Sequence, residues 1–197
     1  MWNQRYSEPG FAYGTDPNDL LVERAGLLQS GARVLCIAEG EGRNAIFLAG
    51  LGHDVTAVDL SEVGLEKARA RAESLGLPLR TVHADLMDYE PDPGSWDAVV
   101  SIWAHLPPPV RAVVHARVVR ALRPGGVLIL EAYAPEQLQH RTGGPQTLDL
   151  LYSLDLLRSD FGALEIQHLW TGVREIHEGR YHDGPSAVVQ LVAVKPG

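Results

Sequence analysis

From Gly31 to Tyr133 the chain alternates short apolar runs with stretches whose apolar residues recur at helical spacing. "RVLCIAEG" is a compact apolar run that predicts a buried strand, and "RNAIFLAGLG" a helix stopped by Gly50 and Gly52. "DVTAVDL" is a second strand. Ser61 is placed to cap the helix "EVGLEKARARAESLG", which ends at Gly76. "LRTVHADL" and "WDAVVSIWA" predict the third and fourth strands. "PPPVRAVVHARVVRAL" carries Val110, Val113, Val114 and Val118 at helical spacing, and "GGVLILEAYA" is the fifth strand. Strands alternating with helices in this rhythm imply an α/β, doubly wound parallel sheet.

The rhythm breaks after Tyr133. "PEQLQHRTGGPQT" reads as a polar loop, after which Ser153 caps the helix "LDLLRSDF". Two strand-like runs close the chain, "ALEIQHLWTGVREI" and "SAVVQLVAV". Only "HEGRYHDGP" separates them, too little for a crossover helix, so they are expected to pair antiparallel. Upstream of the first strand, "WNQRYSEPGFAYGTDPNDLL" is aromatic and turn-rich, with Asp16-Pro17 expected to open a helix as cap and first residue.

Composition narrows the possible partners. The 197 residues carry a net charge of −8 and only two lysines, Lys67 and Lys195, so no basic stripe for nucleic acid is present. The single Cys36 excludes an internal disulfide and suits a reducing compartment. No stretch reads as a signal peptide or a membrane span, and a cytoplasmic protein is expected.

Gly40-Glu41-Gly42-Arg43-Asn44-Ala45 satisfies the dinucleotide pattern G-x-G-x-x-A, and Asp59 stands at the end of the second strand. Two ligands fit such a turn, a dinucleotide pyrophosphate or S-adenosylmethionine (SAM). A pyrophosphate about 5 Å from Glu39 or Glu41 would meet a repulsion of roughly 3 kcal/mol per pair at an effective dielectric near 20. Arg43 offsets part of that. SAM brings a sulfonium and an ammonium, for which a carboxylate at the strand tip is favourable. Asp59 serves either ligand as a ribose acceptor.

The order "VLCIAEGEGRN", "VTAVDLS", "HADLMDY", "WDAVVSIWAHLPP" and "ALRPGGVLILEAY" resembles the class I SAM-dependent methyltransferases. "YGTDPN" and "GGPQTLDLLYSLDLLRSDF" are similar to small bacterial enzymes related to the tellurite-resistance and thiopurine methyltransferases. The resemblance implies a seven-stranded Rossmann-like sheet, five parallel strands plus a C-terminal antiparallel hairpin. It also implies one domain over 1–197: a lid arm and helix (1–30), a cofactor-binding core (31–134), a substrate loop and helix (135–163) and the hairpin (164–197). The family's first-strand motif, Asp-x-Gly-x-Gly-x-Gly, has Cys36 at its Asp position and Ala38 at its first Gly. Glu39 is therefore expected to neutralise the SAM ammonium in place of an acid at position 36.

Contacts to SAM are expected from Glu39, Gly40, Gly42, Asn44, Asp59, Leu60, Asp85, Leu86, Ser101 and Trp103, with Asp85 near the adenine and Glu41 peripheral. His105, after the fourth strand, is the candidate proton acceptor or substrate-orienting group; its rival role is a capping contact to the "PPP" turn. Tyr133, His140 and Arg141 are expected to line the substrate pocket, with Tyr6 and Tyr13 as a lid. Cys36 and His83 read as structural, His115 as a helix-face residue, and His53 as lying at the wrong sheet edge. No histidine pair shows metal-ligand spacing on one helix. The expected activity is direct in-line methyl transfer from SAM to a small-molecule thiol or hydroxyl, with no nucleic acid or membrane partner, in a monomer or homodimer. A non-catalytic SAM sensor or scaffold remains open. So does a nicotinamide oxidoreductase, although the Tyr-x-x-x-Lys it would need is opposed by the scarcity of lysine.

Overall fold

In the computed structural model, which describes residues 1–197, β1 (Arg33–Ile37), β2 (Asp54–Asp59), β3 (Arg80–His83), β4 (Trp96–Ile102) and β5 (Leu122–Tyr133) pair in parallel. β6 (Glu165–His177) and β7 (Asp183–Val194) form the expected antiparallel hairpin, and β7 pairs antiparallel with β5. The order across the sheet is β3-β2-β1-β4-β5-β7-β6. β1 therefore lies between β2 and β4, the point where the chain reverses its direction of winding and where such sheets open a crevice at their carboxyl edge.

Successive side chains of a strand face opposite sides, and both sides of this sheet are covered. Leu35 and Ile37 join Val114 and Val118 of α5 (Pro108–Ala121) and Leu157 of α6 (Leu154–Asp160) in one core. Val34 and Cys36 join the other, with Leu21 of α2 (Asp19–Arg24), Leu48 of α3 (Arg43–Gly50) and Leu65 of α4 (Glu62–Ser74). Cys36 is thus a small core residue. Ser61 and Ser153 cap α4 and α6 through their side chains.

One local expectation is corrected. The cap of α2 is Asn18, whose side chain accepts from Leu21 N, and not Asp16. His115 is buried inside α5's packed face, its Nδ1 2.8 Å from Asp160. The aromatic opening also contains a helix, α1 (Trp2–Tyr6), that no periodicity announced. No helix is long and apolar enough to cross a membrane.

The N-terminal segment is tied to the hairpin by charge. Glu131 of β5 is completely buried, and its carboxylate accepts from Asn18 Nδ2 (2.7 Å), Arg174 Nη2 of β6 (2.5 Å) and Gln190 Nε2 of β7. Removing one member of a buried ion pair leaves the other charge uncompensated. Glu131→Ala is expected to lower the free energy of unfolding in urea by about 3–5 kcal/mol, whereas Glu62→Ala, in the exposed pair with Arg69, should change it by no more than about 1 kcal/mol.

Candidate active-site cleft

A cavity of about 1110 Å³ opens along the carboxyl edge of β1, β2 and β4. Its floor comes from the ends of these strands, and its remaining walls come from the N-terminal arm, the 141–146 loop and the turn between β6 and β7. Ligand pockets usually span about 300–1000 Å³, so the space suits two small ligands together.

One end is acidic. Glu39 follows β1, and its Oε1 accepts from Asn44 N (2.9 Å) and Ala45 N (2.8 Å), capping α3. Oε2 makes no hydrogen bond, and the residue lines the cavity. Burial pushes the carboxyl up to about 7, against the pull of those two N–H groups and of Arg43. Asp59, the last residue of β2, accepts from Gly40 N (2.8 Å) and Ser61 N (2.7 Å), and burial raises its pKa despite them. A carboxylate has about four acceptor positions, so both residues keep capacity for a ligand. Asp85 and Leu86, after β3, and Leu60, after β2, complete this end.

Glu41 is not peripheral. It is buried, pairs with Lys67 Nζ at 2.8 Å, and accepts the Ala12 N–H at 2.7 Å. Lys67 also donates to the Glu8 and Gly10 carbonyls, so this pair fastens the N-terminal arm over the loop. Tyr6 lies on Gly40 so closely that a Cβ there would sit 2.5 Å from the Tyr6 hydroxyl, and a Cβ on Gly42 would sit 2.5 Å from that of Ala68. The space beside these glycines is filled by protein, and neither of them lines the cavity.

The other end is built from the β6–β7 turn. Glu178 is buried. It accepts from Arg43 Nη2 (2.5 Å), Trp103 Nε1 (2.5 Å) and Asn18 Nδ2 (2.9 Å), with His182 Nδ1 at 3.9 Å. Burial alone would raise its carboxyl; His182, the Arg43 guanidinium and the Trp103 N–H outweigh it and hold it at about 2. Trp103 adopts φ 58°, a left-handed conformation that bulky residues rarely take, and stacks 4.5 Å from Tyr133. Ala38 is likewise left-handed at φ 51°.

Of the residues singled out in the sequence, Glu39, Asn44, Asp59, Leu60, Asp85, Leu86, Trp103, His105, Tyr6, Tyr13 and Arg141 line this one cavity. Gly40, Gly42, Ser101, Tyr133 and His140 do not. Ser101 is buried within β4, and Tyr133 is fully buried behind Trp103. His105 lines the cavity with both ring nitrogens engaged: Nδ1 meets the Leu150 carbonyl (2.7 Å) and Nε2 accepts from Tyr133 N (3.3 Å). Burial pushes its pKa down to about 4. Arg180, Tyr181, His182 and Asp183 also line the cavity, and sequence reasoning passed over them. Their signal was the density of charged and aromatic residues in "HEGRYHDGP", a segment read only for its length.

A family model described as a methyltransferase domain matches residues 34–126. An uncharacterized protein of Mycobacterium tuberculosis is 29% identical over 171 residues, 86% of this chain and 58% of that protein. The chain thus spans little more than half the length of that relative. A structure from work on the conversion of a disulfide bond into a thioacetal group during echinomycin biosynthesis matches with TM-score 0.76 and 25% identity, over 94% of this chain and 85% of that one. TehB from Haemophilus influenzae matches with TM-score 0.76 over 98% of this chain and 65% of that one; at 18% identity the likeness is one of fold.

Because Glu178 is held below the ordinary carboxylate value of 4.5, its contribution to stability is whole above that pH and is lost as pH falls through about 2. Urea unfolding between pH 5 and about 2 is expected to show this loss in the wild type and a shallower decline in Glu178→Gln.

Proposed function

We propose that this cleft binds SAM, the cofactor of the class I methyltransferases that the chain resembles and whose domain model matches residues 34–126, and transfers its methyl group to a small-molecule nucleophile, a thiol or other soft acceptor or a hydroxyl. The observation that carries the reading is the acidic end of the cavity at the sheet's switch point. There Glu39 Oε2 stands without a partner beside an Asp59 that still has acceptor positions. A carboxylate without a donor suits an ammonium, and one with spare acceptor positions suits ribose hydroxyls. The same pair would repel a pyrophosphate. When bound, SAM supplies an electrophilic methyl group and leaves as a neutral thioether.

The chain's own part is to bind, orient and exclude water. Glu39 and Asp59 hold the polar ends of the cofactor, and Asp85, Leu60 and Leu86 wall its base. Tyr6 and Tyr13, fastened through Glu41 and Lys67, close the cleft on the arm side. His105 acts as a positioning group. Its lone pair is spent on Tyr133 N, and a ring with pKa near 4 is a weak base at neutral pH.

Calorimetry tests the reading. SAM is expected to bind while NAD and NADP do not. Asp59→Asn should weaken SAM by about ten- to a hundredfold, the equivalent of hydrogen bonds to a charged acceptor. Binding of NAD without SAM would overturn the function, and unchanged affinity in the variant would remove Asp59 from the site.

A further inference from the structure

We propose that His182, oriented by Glu178, is the base that takes the proton from the acceptor, and that the acceptor is a hydroxyl on a flat aromatic ring. The inference rests on the methyl-transfer reading and adds the substrate class and the catalytic residue.

His182 is only 6% exposed, and its Nδ1 is buried with no hydrogen-bond partner. Glu178 Oε2 stands 3.9 Å from it, outside hydrogen-bond reach. Nε2 has no protein partner either, and the residue lines the cavity. Leaving a buried polar atom unpaired costs free energy; six other buried side-chain atoms of the chain also lack a partner, and of these seven residues His182 alone lines the cavity. His105 shows the contrast, since the same cleft holds a ring whose two nitrogens are both satisfied.

Everything around His182 fixes its orientation. Tyr13, Trp103 and Tyr133 pack on the ring at 4.5, 5.1 and 5.2 Å between centroids. Gly143 closes the loop against it; a Cβ there would sit 2.8 Å from His182 Cδ2, at φ 145°. Glu178 is itself immobilised by Arg43, Trp103 and Asn18, three residues from outside the hairpin. The charged and titratable groups facing the ring are Glu178, Arg43, Arg5, His105, Tyr13 and Tyr133. Burial lowers the pKa of His182 and the two guanidiniums add to it, while Glu178 opposes, and the balance favours the neutral ring. With Nδ1–H directed at Glu178, the lone pair of Nε2 is free to accept a proton.

The need for a base selects the acceptor. A thiol with pKa about 8.5 ionises in part near neutral pH, whereas a phenol with pKa about 10 does not. Trp2, Tyr13, Trp103 and Tyr181 give the cleft flat aromatic walls that suit an aromatic ring. In the step, the hydroxyl proton passes to His182 Nε2, and the oxygen lone pair forms the bond to the methyl carbon. The electrons of the broken carbon–sulfur bond remain on sulfur, and the imidazolium later returns its proton to water.

Two measurements decide the proposal. In ¹⁵N-histidine-labelled wild-type protein without ligand, the His182 ring is expected to be neutral at pH 7, protonated on Nδ1, and to charge only below the ordinary value of 6.5. With saturating SAM, phenol and catechol are to be compared with thiophenol and 2-mercaptoethanol. His182→Gln should lower kcat on the phenols by about 10²–10⁴, with the deficit shrinking as pH approaches 10 and SAM affinity within about twofold of wild type. An imidazolium or an Nε2–H tautomer at pH 7, full phenol turnover by His182→Gln, or turnover confined to the thiols overturns the proposal while leaving methyl transfer intact. Failure of SAM to bind in calorimetry overturns both.

Discussion

Carboxylates buried at the carboxyl edge of the sheet impose the constraint on which the rest of this molecule depends. Glu39, Glu41, Asp59, Glu131 and Glu178 are all less than 9% exposed, and each must be given donors or lose several kcal/mol to desolvation. The donors come from far away in sequence. Ala12 and Lys67 serve Glu41; Asn18, Arg174 and Gln190 serve Glu131; Arg43, Trp103 and Asn18 serve Glu178. Satisfying these acids draws the N-terminal arm, the glycine loop and the hairpin turn onto one edge. The cleft is the space they enclose.

The same bonds divide the acids by role. Glu131 and Glu41 have their charges met within the chain and act as fasteners. Glu39 and Asp59 are stabilised by backbone N–H groups yet still face the cavity, so the fold holds them there without using up their capacity for a ligand. Glu178 lies between these cases, since it fixes Arg43 and Trp103 and at the same time stands behind His182. Backbone strain gathers in the same place. The only non-glycine residues with positive φ, Ala38 and Trp103, both line the cleft, where the surrounding hydrogen bonds hold conformations that cost of order 1–3 kcal/mol each.

Much of the architecture was legible because it is written locally. The strands β1, β2, β4 and β5 are short apolar runs, α4 and α6 begin at serine caps, and nine residues between two strand patterns leave room only for a hairpin. The positions of Glu39, Asp59 and Asp85 followed from the same patterns, because in a parallel sheet the residues after each strand reach a common edge. The α2 cap was misplaced by two residues because Asp16-Pro17 and Asn18 offer similar local chemistry. Asn18 is chosen by its bonds to Glu131 and Glu178, more than a hundred residues away.

The sequence by itself determined the sheet, its winding and the acidic character of the loop after β1, since these depend on periodicity, caps and charge within a few residues. Only the tertiary structure decided which polar groups are already spent. His105 and His182 look alike in a sequence, but the first is saturated by Leu150 and Tyr133 and the second is left open beside Glu178. Gly40 and Gly42 satisfy a nucleotide pattern, yet the space beside them is taken by Tyr6 and Ala68. Hydrogen-bond capacity and free volume are shared among residues distant along the chain, and that sharing exists only once the chain has folded.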